Sequence, residues 1–294
     1  MKKFLSFILA LSLLLSACLF SACSEIEKSS KIQRMLITLD FYDAAGEVVD
    51  TKTVQAKLYL NFAPQATERF IALAEDGYFD NTCVSNVQSG YFEFGGYEYV
   101  DGKMTAKAYD EQKYPALKGE FEKNGWIGNK LTTGSGAILF KHDKESTKEV
   151  SKYDTAKGSI VVVLENISKF DESEYCVFGV LCSDDQDDNP ESSVSDSQVN
   201  RTGLSSLGVA RTLPNLAAND GVTTYYNENN DKFYTRVVSD GETEYYEGTE
   251  VSEDNVLTED SEDFETLKEL IANYDETLLT IPYTKVIIRS VKKK

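Results

Sequence analysis

Between residues 83 and 181 the apolar stretches are short and punctuated by glycine. They are Cys83–Val87, Tyr91–Phe94, Ala137–Phe140, Ser159–Leu164 and Tyr175–Leu181, with Gly90, Gly95-Gly96, Gly134, Gly136, Gly158 and Gly179 between or within them. Runs this short suit strands and leave no room for helices with a core-facing stripe. Upstream, Met35–Phe41 alternates as a strand, Ala45-Gly46-Glu47 supplies a turn, and Val54–Leu60 alternates again. Val54, Ala56, Leu58 and Leu60 share one face, so the pair reads as a hairpin. Pro64 suits a first helical turn and Gly77 a stop. Between them Ala66, Phe70, Leu73 and Ala74 fall on one face of a helix of about three turns. One early helix among many short strands predicts a mostly β chain whose strands close, or nearly close, on themselves.

The start of the chain constrains location. Met1-Lys2-Lys3 precedes an apolar run, Phe4–Leu15, which is followed by Ser16, Ala17 and Cys18. A charged start, an apolar stretch and small residues before a cysteine make an export signal. The run falls short of the roughly 20 residues of a spanning helix. Leu15-Ser16-Ala17-Cys18 resembles the bacterial lipobox, so 1–17 is expected to be a signal peptide, Cys18 a lipidated residue, and 18–33 a polar tether. Cys23, after Phe20-Ser21-Ala22, is the alternative lipid site; release of a soluble protein by an ordinary signal is the rival. The expected location is the extracytoplasmic face of a bacterial cell membrane.

Composition narrows the chemistry. The chain has 294 residues and a formal net charge of −19, which repels nucleic acid. Outside the leader and tether the cysteines are Cys83, Cys176 and Cys182, an odd number that builds no complete disulfide framework. Cys176 and Cys182 are expected at the two ends of one strand, too far apart to bridge. His142 is the single histidine and is expected in an exposed loop. Zinc sites and Ser-His or Cys-His catalysis therefore lack parts. No metal and no cofactor is expected.

From Ser183 to Ser193 the chain is acidic and nearly devoid of apolar residues, as disordered segments are. A calcium loop is the sharper alternative, although the glycine and terminal glutamate of a calcium-binding hand are missing. Further on, Asp240-Gly241 between Phe233–Val238 and Thr243–Tyr246 is a two-residue hairpin turn. Residues 183–260 thus read as an acidic insertion carrying its own hairpin. Ser261 is placed to cap a last helix, with Glu262 and Asp263 in the first turn and Phe264, Leu267, Ile271 and Tyr274 on one face. Pro282 precedes a final strand, Tyr283–Val291.

Several segments, in this order, resemble cyclophilin-type peptidyl-prolyl cis-trans isomerases. Ala56–Leu60 followed by Ala63-Pro64-Gln65-Ala66-Thr67-Glu68-Arg69-Phe70 is similar to the family's second strand and first helix. Gly77–Thr82, Gly90-Tyr91-Phe92-Glu93-Phe94-Gly95-Gly96, Glu120-Phe121, Gly134–Phe140 and Val177-Phe178-Gly179-Val180 resemble successive family segments. The resemblance implies a closed β-barrel of about eight strands capped by two helices, built from 34–182 and 261–292 and interrupted by the insertion.

The resemblance also implies a reaction, rotation about an X–Pro bond, whose barrier is about 18–20 kcal/mol. Such a reaction needs an apolar pocket for the proline ring and a donor aimed at the imide as resonance is lost. In the family an arginine is that donor; Asn86 stands at its position here, shorter and uncharged. The family's pocket residues fall on Tyr91, Phe92, Phe94, Val162 and Phe170, which are expected to line a substrate cleft unless they simply fill the core. Two functions follow from the resemblance. One is a weak, membrane-anchored isomerase assisting the folding of exported proteins. The other is a catalytically silent module that binds extended or proline-containing segments. A third class, contacts made by the acidic insertion, rests on composition alone. Expected partners are exported or cell-surface polypeptides with X–Pro segments and a membrane reached through the lipid anchor. No nucleic acid is expected, and the protein is expected to be a monomer.

Overall fold

A computed structural model describes residues 31–43, 45–165, 167–182, 206–213, 218–219, 221–273, 275, 277–282 and 285–294. The leader, both candidate lipid-bearing cysteines and the acidic run 183–193 lie outside the described residues.

The expected first hairpin forms as β1 (Ile32–Tyr42) and β2 (Val48–Tyr59), antiparallel from Ile32↔Tyr59 to Tyr42↔Val48. Val54, Ala56 and Leu58 face the core, whereas Leu60 lies past the strand end in the turn that leads to the helix. Helix α1 (Pro64–Glu75) buries Ala66, Thr67, Phe70, Leu73 and Ala74. Then come β3 (Thr82–Gln88), β4 (Tyr91–Val100), β5 (Lys103–Ala106), β6 (Ala137–Phe140), β7 (Ile160–Val163), β8 (Val177–Leu181) and, at the chain's end, β15 (Val286–Lys293). Their pairing order is β3-β15-β1-β2-β8-β6-β7-β4, and β4 pairs back to β3. Eight antiparallel strands therefore close a ring, and β5 hangs on β4 outside it. The last strand closes the ring by pairing with β1 from Met35↔Lys293 to Phe41↔Val286 and meeting β3 at Ile287↔Cys83.

Inside the ring Phe70 of α1 packs on Phe79 and Phe178, with ring centroids 4.9 Å and 5.3 Å apart. Gly95 is needed where β4 crosses the 158 loop. Its φ is +84°, and a Cβ there would stand 2.5 Å from the Gly158 carbonyl oxygen. Cys176 and Cys182 flank β8, and the three described cysteines are buried and form no disulfide.

A second helix does cap the barrel, but it is not the expected one. It is the short α2 (Ser206–Ala210), from within the stretch read as an insertion. Its Val209 and Ala210 join the barrel core, and the Ser206 hydroxyl accepts the Gln55 N–H at 2.8 Å.

Beyond α2 a second sheet forms: β9 (Ala218–Asn219), β10 (Val222–Asn227), β11 (Lys232–Ser239), β12 (Glu242–Glu247), β13 (Val256–Leu257) and β14 (Leu278–Ile281). Asp240 and Gly241 connect β11 and β12 with φ of 52° and 85°, as a two-residue turn of primed type demands. The late helix, α3 (Glu262–Ala272), forms as expected, but its Leu267 packs with Tyr225, Tyr234 and Leu278 of this sheet. The tyrosines of the second sheet offer its apolar stripe a partner that the barrel does not. Nor does Ser261 cap it by its side chain, because its hydroxyl turns back to accept the Thr258 N–H. The opposite face of the sheet, with Tyr226, Leu279 and Ile281, packs on Cys83, Met104 and Ile287 of the barrel's outer surface.

Candidate functional site

Strand β3 changes register against β4 between Val84 and Asn86, and Asn86 then pairs with Glu93. This irregularity points Asn86 out of the barrel, where the edge of the second sheet covers it to 4 % exposure. Its amide is fully occupied. Nδ2 donates to Glu93 Oε1 at 3.1 Å and to the Tyr91 hydroxyl at 3.4 Å. Oδ1 accepts from the backbone N–H of Thr280 on β14 and from Gln88 Nε2, both at 3.2 Å. Gln88 Nε2 also donates to the Thr280 hydroxyl at 2.8 Å. An asparagine side chain has two N–H donors, and here both are spoken for.

Glu93 is buried beside Asn86 and its other oxygen accepts from Lys141 Nζ at 2.7 Å. Burial opposes the Lys141 ammonium, but the Glu93 charge and hydrogen bond outweigh it and hold its pKa above the ordinary lysine value.

A cavity of about 500 Å³ opens next to this cluster. The barrel contributes Asn86, Gln88, Tyr91 and Lys169; β10, β11 and β14 contribute Tyr225, Arg236 and Thr280. Leu270, Ile271 and Leu278 supply its apolar wall. Tyr91 is pinned in place: its ring meets Phe170 edge-on at 5.1 Å and its hydroxyl accepts from Lys169 Nζ at 2.8 Å. Lys169 also lies 4.8 Å from the centre of the Tyr91 ring.

The expected lining residues separate into two groups. Tyr91 lines the cavity and Phe170 backs it from the small apolar cluster on the barrel's outside. Phe92, Phe94 and Val162 instead have their side chains in the barrel's interior core. The reason is alternation. Tyr91 and Glu93 face outward, so Phe92 and Phe94 between and beyond them must face inward, and Val162, paired with Phe92, follows. Strand periodicity sorts Phe92 and Phe94 from Tyr91 and Glu93 but does not say which pair looks inward. His142 is also corrected: it is buried, stacked on Tyr175 with centroids 4.4 Å apart, and its Nε2 lies 3.2 Å from the Glu174 carbonyl. The aromatic neighbours on that loop pull the ring under cover. Gln88, Lys169, Arg236 and Thr280 were not foreseen. The last two come from the second sheet, and no spacing in the sequence ties them to Asn86.

Glu120 acts elsewhere, at the start of α1. Ala63 at the N-cap offers no side-chain acceptor, and the two carboxylate oxygens of Glu120 accept the N–H groups of Gln65 and Ala66 at 3.1 Å and 2.9 Å. Burial pushes this carboxyl above the ordinary glutamate range, against the pull of those two donors.

Among solved structures the chain is similar to a cyclophilin type peptidyl-prolyl cis-trans isomerase from Cryptosporidium parvum, determined in the presence of the dipeptide Ala-Pro. Identity there is 17%, the TM-score is 0.34, and the match covers 57% of this chain and 90% of that one. It is also similar to the cyclophilin AquaCyp293 from Hirschia baltica, at 13% identity and a TM-score of 0.29, over 85% of this chain and 91% of that one. No curated protein matches the chain. Residues 47–184, which run from the turn before β2 to just beyond β8 and include Asn86 and Tyr91, match the family model of the cyclophilin type peptidyl-prolyl cis-trans isomerases/CLD.

Proposed function

We propose that this protein is held on the outer face of a bacterial membrane by a lipid on Cys18, with Cys23 as the alternative. There its barrel binds extended, proline-containing segments of exported or cell-surface polypeptides and turns over X–Pro bonds only feebly. The observation that carries this reading is the saturation of Asn86. A rotating imide needs a donor free to follow its developing charge. Asn86 spends one N–H on the buried Glu93 carboxylate, a charge-assisted bond of the stronger kind, and the other on Tyr91. Loss of one well-placed donor typically costs about 10²–10³ in rate. The cavity beside it keeps the aromatic and apolar walls that a peptide segment needs.

An effective isomerase is the second reading, favoured by the match of residues 47–184 to the isomerase family. Exchange NMR separates the two, using residues 31–294 and a peptide with one X–Pro bond. Saturable binding with cis–trans exchange at, or only slightly faster than, the uncatalysed scale of tens to hundreds of seconds supports the first reading. Exchange accelerated to well below a second supports the isomerase. Absence of any binding sinks both.

A further inference from the structure

Arg236 enters the cavity from β11, where its backbone pairs with Thr223 and Tyr245. Its Nε is buried without a hydrogen-bond partner, and its guanidinium forms no ion pair with any described carboxylate. Buried polar groups are almost always satisfied, and one attached to a charge is the costliest to leave alone. Among the described residues, the one carboxylate in the cavity lining, Asp275, is already engaged. It accepts the backbone N–H of Thr277 at 2.8 Å and the Thr277 hydroxyl at 2.7 Å, bonds that hold it below the usual carboxylate range. Lys169 brings a second cation to the same cavity. In a chain with a net charge of −19, the described lining of this hollow thus carries two cations, Arg236 and Lys169, and one occupied carboxylate.

We propose that this cleft takes the carboxylate of a peptide, with Arg236 as its principal ligand and Lys169 in support. The inference rests on the cleft being the polypeptide-binding site argued above and names the group it recognises. A planar guanidinium matches a carboxylate through two parallel N–H···O bonds, and the unpartnered Nε is one of the two donors that such a fork uses. Tyr91 and Tyr225 line the same cavity and offer ring surfaces for the neighbouring side chain, and Leu270, Ile271 and Leu278 add apolar lining. Because Arg236 and Tyr225 belong to the second sheet and Lys169 and Tyr91 to the barrel, a bound carboxylate draws on both.

Calorimetry on residues 31–294 at low salt tests this with acetyl-Ala-Ala-Phe as the free acid, the same peptide as the amide, and the amide of acetyl-Ala-Glu-Phe. The acid is expected to bind about tenfold or more tightly than the neutral amide, with the advantage shrinking as salt is raised. If the glutamate peptide recovers that advantage, a side-chain carboxylate within a chain suffices; if it does not, the recognised group is the C-terminus. Arg236→Gln is expected to erase the preference and Arg236→Lys to retain only part of it. Equal binding of acid and neutral amide overturns the proposal while leaving a peptide-binding cleft, and so does a preference that survives Arg236→Gln at an unchanged Tm. If no peptide binds, 3-phenylpropionate is titrated while the Arg236 Nε resonance is followed. A saturable shift then keeps the carboxylate site and sinks the polypeptide reading, and no shift sinks both.

Discussion

Asn86 shows how much one side chain decides here. It joins β3 to β4 through Glu93 and joins the barrel to the second sheet through the Thr280 N–H. Asn86→Ala would leave that N–H and part of the Glu93 carboxylate without partners, so a loss of about 1–3 kcal/mol is expected in urea unfolding. Lys141 sets a pH signature on the same cluster. Its folded pKa is raised, so its stabilising contribution is complete below the unfolded value of about 10.4 and is lost as pH climbs through the higher folded value. The stability gap between the native protein and Lys141→Met is therefore expected to be constant from neutral pH to about 10 and to narrow above it. Burial also silences the thiols, raising Cys83 and Cys176 to about 12. At pH 8 Ellman's reagent should find none of Cys83, Cys176 and Cys182 in folded residues 31–294, and all three after denaturation.

At the scale of elements, turns and caps hold the pieces in register. Asp240-Gly241 was readable because aspartate followed by glycine between alternating runs has few other uses. Asp101-Gly102 makes the same connection between β4 and β5, with φ of 51° and 78°, and the same signal would have found it. The N-terminus of α1 was only half readable. Pro64 marked where it starts, but its cap, Glu120, arrives from 54 residues away. Glu120→Ala is expected to cost about 0.5–2 kcal/mol, as lost caps do, measured as a fall in the urea midpoint with an unchanged slope.

At the scale of the whole molecule, the second sheet is part of how the barrel is covered. Tyr226, Leu279 and Ile281 shield Cys83, Met104 and Ile287, outward-facing barrel residues that would otherwise meet water. Replacing residues 218–282 by a short glycine-serine linker should expose that patch. For Met104 and Ile287 alone the lost burial is about 1.5–3 kcal/mol each. The shortened protein is expected to melt lower and to bind a hydrophobic dye when folded. An unchanged Tm would mean that the sheet is a passenger. The same deletion removes Arg236 and Thr280, so the cleft beside Asn86 would lose one of its two walls.

Alternation, glycine punctuation and a proline-led helix were enough to determine a mostly β chain, its first hairpin, α1, the Asp-Gly turn and the final strand. Each of these depends on residues within a few positions of one another, which is the range over which backbone geometry imposes a period. Only the tertiary structure decided which face of β4 looks inward, that α3 serves the second sheet, and that Asn86 meets Thr280 across 194 positions. Contacts of that reach are set by which surfaces remain to be buried once the barrel has closed, and no local pattern encodes that.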